Sequence, residues 1–172
     1  MAQRTAMKEA GAFLRYRMRT VSEMRDHLRE KGYSQEETDG CISELKKLRY
    51  LDDYEYARAY TERGLEKGHA SRRIARELEE RGVPADEIQW AYEDIAEEKG
   101  LDEFRSALEM GRRELAKIRS GYGLQPAEEG DEEGDNQVDE KAVLKIGRKL
   151  ARMGYSNSDV FQVMDILRRN GR

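Results

Sequence analysis

A chain with one cysteine in 172 residues cannot close a disulfide within itself, so its stability has to come from packing. Cys41 falls at a small apolar position of a helix, which suits a core residue better than a nucleophile. There are only two histidines, His27 and His69, far apart and without cysteine company, so no metal-ligand set is legible; both read as surface residues. No glycine-rich phosphate cradle and no nucleophile with a base at usable spacing occurs, which argues against an enzyme and against a bound cofactor. Two prolines leave long stretches free to be helical. No stretch of about 18 apolar residues exists to span a membrane. Gly11-Ala12-Phe13-Leu14, with charges close on both sides, does not read as a signal peptide, and the lone cysteine makes the cytoplasm the expected home. Apolar residues make up 37% and charged ones 40%, too little apolar surface for one large core but enough for several thin helical layers sharing neighbours.

What is present is a repeat. The stretch Arg73-Ile74-Ala75-Arg76-Glu77-Leu78 through Gly82 to Ile88 lies without a gap on Glu23–Thr38 when moved back 50 positions. Moved forward 72, it lies on Lys145–Val160. Met24, Ile74 and Ile146 pair with Leu28, Leu78 and Leu150 four residues on, one stripe of a helix. Gly32, Gly82 and Gly154 follow where a helix ends in a left-handed residue. Ser34 with Glu37, and Ser156 with Asp159, have the spacing of capping boxes for a second helix, while Pro84 starts its counterpart by a stiff turn. That helix points Ile42, Tyr92 and Met164, then Leu45, Ile95 and Leu167, inward.

A further helix precedes each pair. Ala6 to Met18 reads as the first, with Met7, Ala10, Leu14 and Met18 on one face; Thr20 with Glu23 then forms a capping box. Leu51-Asp52-Asp53-Tyr54 with Ala57 recurs in register as Leu101-Asp102-Glu103-Phe104 with Ala107; Asp52 or Asp53 can cap the middle copy, which points Tyr54, Ala57, Tyr60 and Thr61 inward. Gly68 closes that helix and Ser71 can cap the next. The reading is an all-α tandem array of three three-helix repeat units, 1–50, 51–100 and 101–172. The third carries an acidic, flexible insertion at about 120–140, where Ala127 to Glu140 hold eight acids and no base. Trp90 is expected to cover a neighbouring unit.

The net charge of −4 hides basic faces, because without those eight acids it would be +4. Arg15, Arg17, Arg19 and Arg25, with Arg29, crowd the first unit. Arg72, Arg73 and Arg76 open the second helix of the middle unit, and Lys145, Arg148, Lys149 and Arg152 form a stripe in the last. In units two and three these bases fall on the same helix of the repeat, so stacking would align them into a broken track for an acidic or nucleic-acid partner.

Three groups of residues in this order and spacing resemble one family. They are Arg19-Thr20-Val21-Ser22-Glu23-Met24 leading to Leu28 and Lys31-Gly32-Tyr33; Tyr50-Leu51-Asp52-Asp53 with Tyr56-Ala57 and Tyr60; and Arg73-Ile74, Glu77-Leu78, Arg81-Gly82-Val83 and Ile88. The closing Met153-Gly154-Tyr155-Ser156 looks like a last repeat. The chain is similar over nearly its whole length to the bacterial RecX regulatory proteins. That resemblance implies an elongated, curved helical array, a monomer, that lies in the groove of the RecA recombinase filament. It further implies a regulator, mostly an inhibitor, of ATP hydrolysis and strand exchange, with links to DNA repair, recombination and the SOS response, and single- or double-stranded DNA as a second partner. The insertion is longer and more acidic than the family pattern, and His69-Ala70-Ser71 follows Gly68 where a second glycine is common.

Two rivals come from other classes. Helix, tight turn and helix can serve a DNA reader without a recombinase partner, but Gln35-Glu36-Glu37 and Ala85-Asp86-Glu87 put acids at the helix start that would face phosphates. A helical-repeat scaffold for another protein is equally compatible with the fold.

Overall fold

The computed structural model describes residues 2–121 and 132–169, with side chains for 6–121 and 140–169. Among the described residues there are nine helices and no strand. They are α1 (Ala2–Leu14), α2 (Val21–Glu30), α3 (Gln35–Lys47), α4 (Asp53–Glu66), α5 (Ser71–Glu79), α6 (Ala85–Lys99), α7 (Glu103–Gly121), α8 (Glu132–Met153) and α9 (Asn157–Arg169). No described helix is long and apolar enough to cross a membrane.

Local rules place most boundaries. Thr20 and Ser34 each accept the N–H three residues on while Glu23 and Glu37 reach back to the cap N–H, so both capping boxes are complete. At α9 the serine hydroxyl instead donates to Asp159 Oδ2 at 2.6 Å while accepting the Asp159 N–H. Gly32, Gly82 and Gly154 all have positive φ. Helix α1 ends at Leu14, short of the expected Met18, because Thr20 needs an extended backbone to cap α2 and the chain turns beforehand; Met18 is therefore 47% exposed rather than inward.

The chain packs as two compact units, Met1–Arg63 with Ile74–Glu98, and Gly64–Arg73 with Lys99–Arg172. These packing boundaries cut α4 and α5 and so do not follow the 50-residue sequence period. In the first unit, Ala6 and Ala10 of α1 let Met24, Leu28, Cys41, Ile42, Leu45 and Leu51 close a core. Completely burying a leucine such as Leu28 stabilises by about 1.5–3 kcal/mol. Cys41 is fully buried with its thiol against Met7 Sδ at 3.4 Å, and burial pushes its pKa up, so it is a core residue as its position suggested. In the second unit Val143, Ile146, Leu150, Val163 and Leu167 form the core. There α9 approaches so closely that a Cβ on Gly147 would stand 2.4 Å from Met164 Sδ.

The paired acids at the start of α4 divide their work. Asp52 caps its own helix, accepting the Glu55 N–H, while the buried Asp53 accepts the N–H of Val21 at 2.9 Å and so caps α2 from a distance. The second unit repeats the device: Asp102 accepts the Arg105 N–H, and Glu103 accepts the Ser71 N–H at 2.7 Å. Ser71 is the first residue of α5 rather than the residue before it, and its N–H is the one that Glu103 takes.

The acidic run differs from expectation. Residues 122–131 lie outside the described residues, but helix α8 begins at Glu132, so the second half of the stretch read as a loop is helical. No proline interrupts residues 132–140, and they continue directly into the buried stripe from Ala142 to Leu150. Glu140 is engaged by Arg168 of α9 through two bonds of 2.9 and 3.0 Å. Trp90 is 53% exposed, against the expectation that it would be covered.

Candidate functional site

The first unit spends most of its expected basic residues internally. Arg17, in the turn after α1, holds Glu23 with two bonds of 2.8 and 3.0 Å, bracing the carboxylate that caps α2. Arg19 lies 3.7 Å over the Phe13 ring, and His27 stacks on that ring at 3.9 Å, nearly parallel. His27 Nε2 also sits 3.0 Å from Glu9 Oε1, so this histidine belongs to a packed cluster and is not the bland surface residue its repeat position suggested. Arg25 pairs with Asp39 across α2 and α3, and Arg76 stands 3.8 Å from Glu80. Arg15 and Arg29 are exposed.

In the second unit Arg73 donates to the carbonyl of Arg152 at 3.2 Å, and the Ala70 N–H donates to the carbonyl of Met153. Arg73 therefore caps the C-terminus of α8, where a cation is favoured by the helix dipole. Arg72 is exposed beside it in sequence. Lys149 turns aside to Glu114 of α7 at 2.8 Å. Lys145, Arg148 and Arg152 are left exposed on one face of α8 and pair with no acid among the described residues.

Glu114 is held by Lys149 first and by Lys117 second, and its pKa lies below the ordinary 4.5 despite some burial. A depressed carboxylate contributes stability that is present above its unfolded pKa and lost as pH falls through the folded one. Glu114→Gln is accordingly expected to destabilise at pH 7, with the difference from wild type shrinking once the pH drops below 4.5. Urea midpoints at pH 7 and pH 3 measure this; an equal difference at both would assign the effect to packing.

A feature not foreseen from sequence lies in the first unit. The turn after α1, the outer face of α4 and the turn after α5 enclose a cleft of about 860 Å³ walled by Tyr16, Tyr56, Tyr60, Arg17, Arg63 and Arg81, with Glu23 and Glu80 also lining it. Tyr56 forms a buried wall, with its ring 6.3 Å from that of Tyr60 and almost parallel to it. Tyr60 donates to Glu77 at 2.6 Å, and burial together with that carboxylate lifts its pKa to about 12, so the phenol keeps its proton. Arg81 sits 4.7 Å over the Tyr60 ring and donates to the carbonyl of Glu77. Tyr16 is 82% exposed, and Arg63 is exposed and pairs with no acid among the described residues. A signal was available in the sequence: Tyr16, Tyr56 and Tyr60 become Glu66, Ser106 and Met110 fifty residues later.

Among the described residues no group of three histidine, cysteine, aspartate or glutamate side chains is placed to hold a metal ion. Residues 6–45 match the RecX first three-helix domain and residues 52–91 match the RecX second three-helix domain. The chain is 28% identical to the regulatory protein RecX of Bacillus licheniformis, over 88% of this chain and 65% of that protein. It is 30% identical to that of Caldanaerobacter subterraneus subsp. tengcongensis, over 66% of this chain and 60% of that one. It thus spans less than two thirds of the length of these relatives. The crystal structure of RecX from Lactobacillus salivarius shares the fold with a TM-score of 0.71 at 17% identity, over 96% of both chains. A second crystal structure, of a regulatory protein RecX, does so with a TM-score of 0.66 at 20% identity, over 95% of this chain and 72% of that one. With its first six helices matched in order to two tandem domain models, and relatives of one name along most of its length, the chain belongs to the RecX family of regulatory proteins.

Proposed function

We propose that this protein regulates the RecA recombinase, acting as an inhibitor that binds in the groove of the RecA–DNA filament and slows ATP hydrolysis and strand exchange. Family membership carries the partner. The three sequence repeats, 1–50, 51–100 and 101–172, serve as successive contact modules, so that modest contacts in each add to a useful affinity through effective concentration. The test is a titration of DNA-dependent ATP hydrolysis by RecA with this protein. Hydrolysis is expected to fall toward a plateau as filament sites fill, and an unchanged rate at saturating protein would remove the reading.

Direct contact with DNA is a second reading, favoured by the exposed face of Lys145, Arg148 and Arg152, which pairs with no acid among the described residues. Three phosphate contacts predict a log–log salt slope of about −2 on single strands and about −3 on duplex. A slope near zero in the filament-free binding assay would assign this face to protein instead.

A further inference from the structure

The two packing units contain the same joint. In the first, Thr20 Oγ1 donates to the carbonyl of Arg81 at 2.8 Å and Asp53 takes the Val21 N–H. In the second, fifty and seventy-two positions on, the Ala70 N–H donates to the carbonyl of Met153 at 2.9 Å and Glu103 takes the Ser71 N–H. The carboxylate bond is common to both, and the acceptor carbonyl stands at the same place in the repeat although a hydroxyl donates in one and a backbone N–H in the other; the three tyrosines of the cleft belong to the first. At the second, the position of Tyr60 is Met110, whose methyl group lies so close to Gly68 that an added Cβ would stand 2.2 Å from it. The positions of Tyr16 and Tyr56 are there Glu66 and Ser106. The bonds that recur at both joints do not involve the rings: Tyr60 braces Glu77 and Arg81, and the exposed Tyr16 ring is left available to a ligand.

We propose that the cleft at the first joint binds a short acidic peptide segment of the partner protein, one that carries an aromatic or leucine side chain beside its carboxylates. Tyr16 and Met18 offer exposed apolar surface, and Arg63 offers a guanidinium that pairs with no acid among the described residues. Arg17 and Arg81 already have partners in the chain, which keeps the walls rigid. The cleft suits the size of a few side chains. Its three arginines are opposed by Glu23 and Glu80, so a run of phosphates would face two carboxylates for little net gain, whereas one or two peptide carboxylates meet Arg63 directly. Tyrosine on a rigid support gives contact area at low entropic cost.

This inference rests on RecA being the partner, and the experiment separates the two. Tyr16→p-benzoylphenylalanine protein is irradiated with RecA filaments on single-stranded DNA, the adduct is mapped by mass spectrometry, and ATP hydrolysis is followed in parallel. The expected adduct is on an Asp/Glu-rich RecA segment containing an aromatic or leucine residue. Its yield should fall about fivefold when Arg63→Glu is added, the scale of one exposed charge contact reversed. Slowed hydrolysis with no adduct, an adduct on a segment without acids, or an adduct on the DNA each overturns the peptide site while leaving the regulatory reading intact. Unchanged hydrolysis with the wild-type protein removes that reading, and this inference with it.

Discussion

Gly154→Ala should destabilise the protein by roughly 2–5 kcal/mol, whereas Gly32→Ala, at the same place in the repeat, should cost roughly 1–2 kcal/mol. Both glycines have positive φ, +95° and +84°, and an alanine pays the left-handed penalty at each. The difference is what the new methyl group meets. At Gly32 there is nothing within 4 Å, while at Gly154 the Cβ would stand 2.8 Å from the backbone N of Arg73 and 3.2 Å from its Cα. That backbone cannot easily recede, because Arg73 is tied to the carbonyl of Arg152 and Ala70 to that of Met153. Overpacking against fixed backbone supplies the additional cost. Urea unfolding of the two variants tests this, with hydrogen exchange over residues 140–169 as the local readout, since the loss at Gly154 should appear first in its own packing unit. Equal losses at the two glycines would show that the close approach carries no energy and that only the backbone angle matters.

The contrast marks what could be read from sequence and what could not. The capping boxes of Thr20 and Ser34, the glycine stops and the stripes through Leu28, Leu78 and Leu150 follow from rules acting within about five residues, and they appear where those rules put them. The pair Asp52 and Asp53 was recognisable as a helix start, but only the fold shows one acid serving α4 and the other reaching 32 residues back to Val21. Lys149 belonged to a stripe of four bases by periodicity, and its bond to Glu114 across 35 residues removes it from that stripe. The cleft was hidden for the same reason, since Tyr16, Tyr60 and Arg81 come from three separate segments. Trp90 went the other way: size argued for a covered position, and the structure leaves it half exposed. Local chemistry was legible, and long-range pairing was not, because periodicity says which face a side chain occupies and nothing about what stands opposite.

That distinction sharpens the second large effect. Replacing Lys145, Arg148, Lys149 and Arg152 together would remove the nearer partner of Glu114 along with the exposed stripe, mixing loss of fold with loss of binding. The variant Lys145→Glu/Arg148→Glu/Arg152→Gln leaves Lys149 in place and puts no acid in the last turn of α8, where the helix dipole disfavours one. All three side chains are exposed and pair with no acid among the described residues, so the circular dichroism and urea midpoint should stay near wild type. Exposed charge contacts are worth about 0.2–1 kcal/mol each, and two of the three are reversed rather than merely removed. The protein concentration for half-maximal inhibition of RecA hydrolysis should therefore rise more than about tenfold at moderate salt, and the gap from wild type should narrow as salt is raised. A folded triple variant that inhibits at the wild-type concentration would detach the α8 face from the mechanism. Lys149→Met makes the complementary measurement: it should lower the urea midpoint through Glu114 and barely change inhibition, because its ammonium faces α7 and not the stripe.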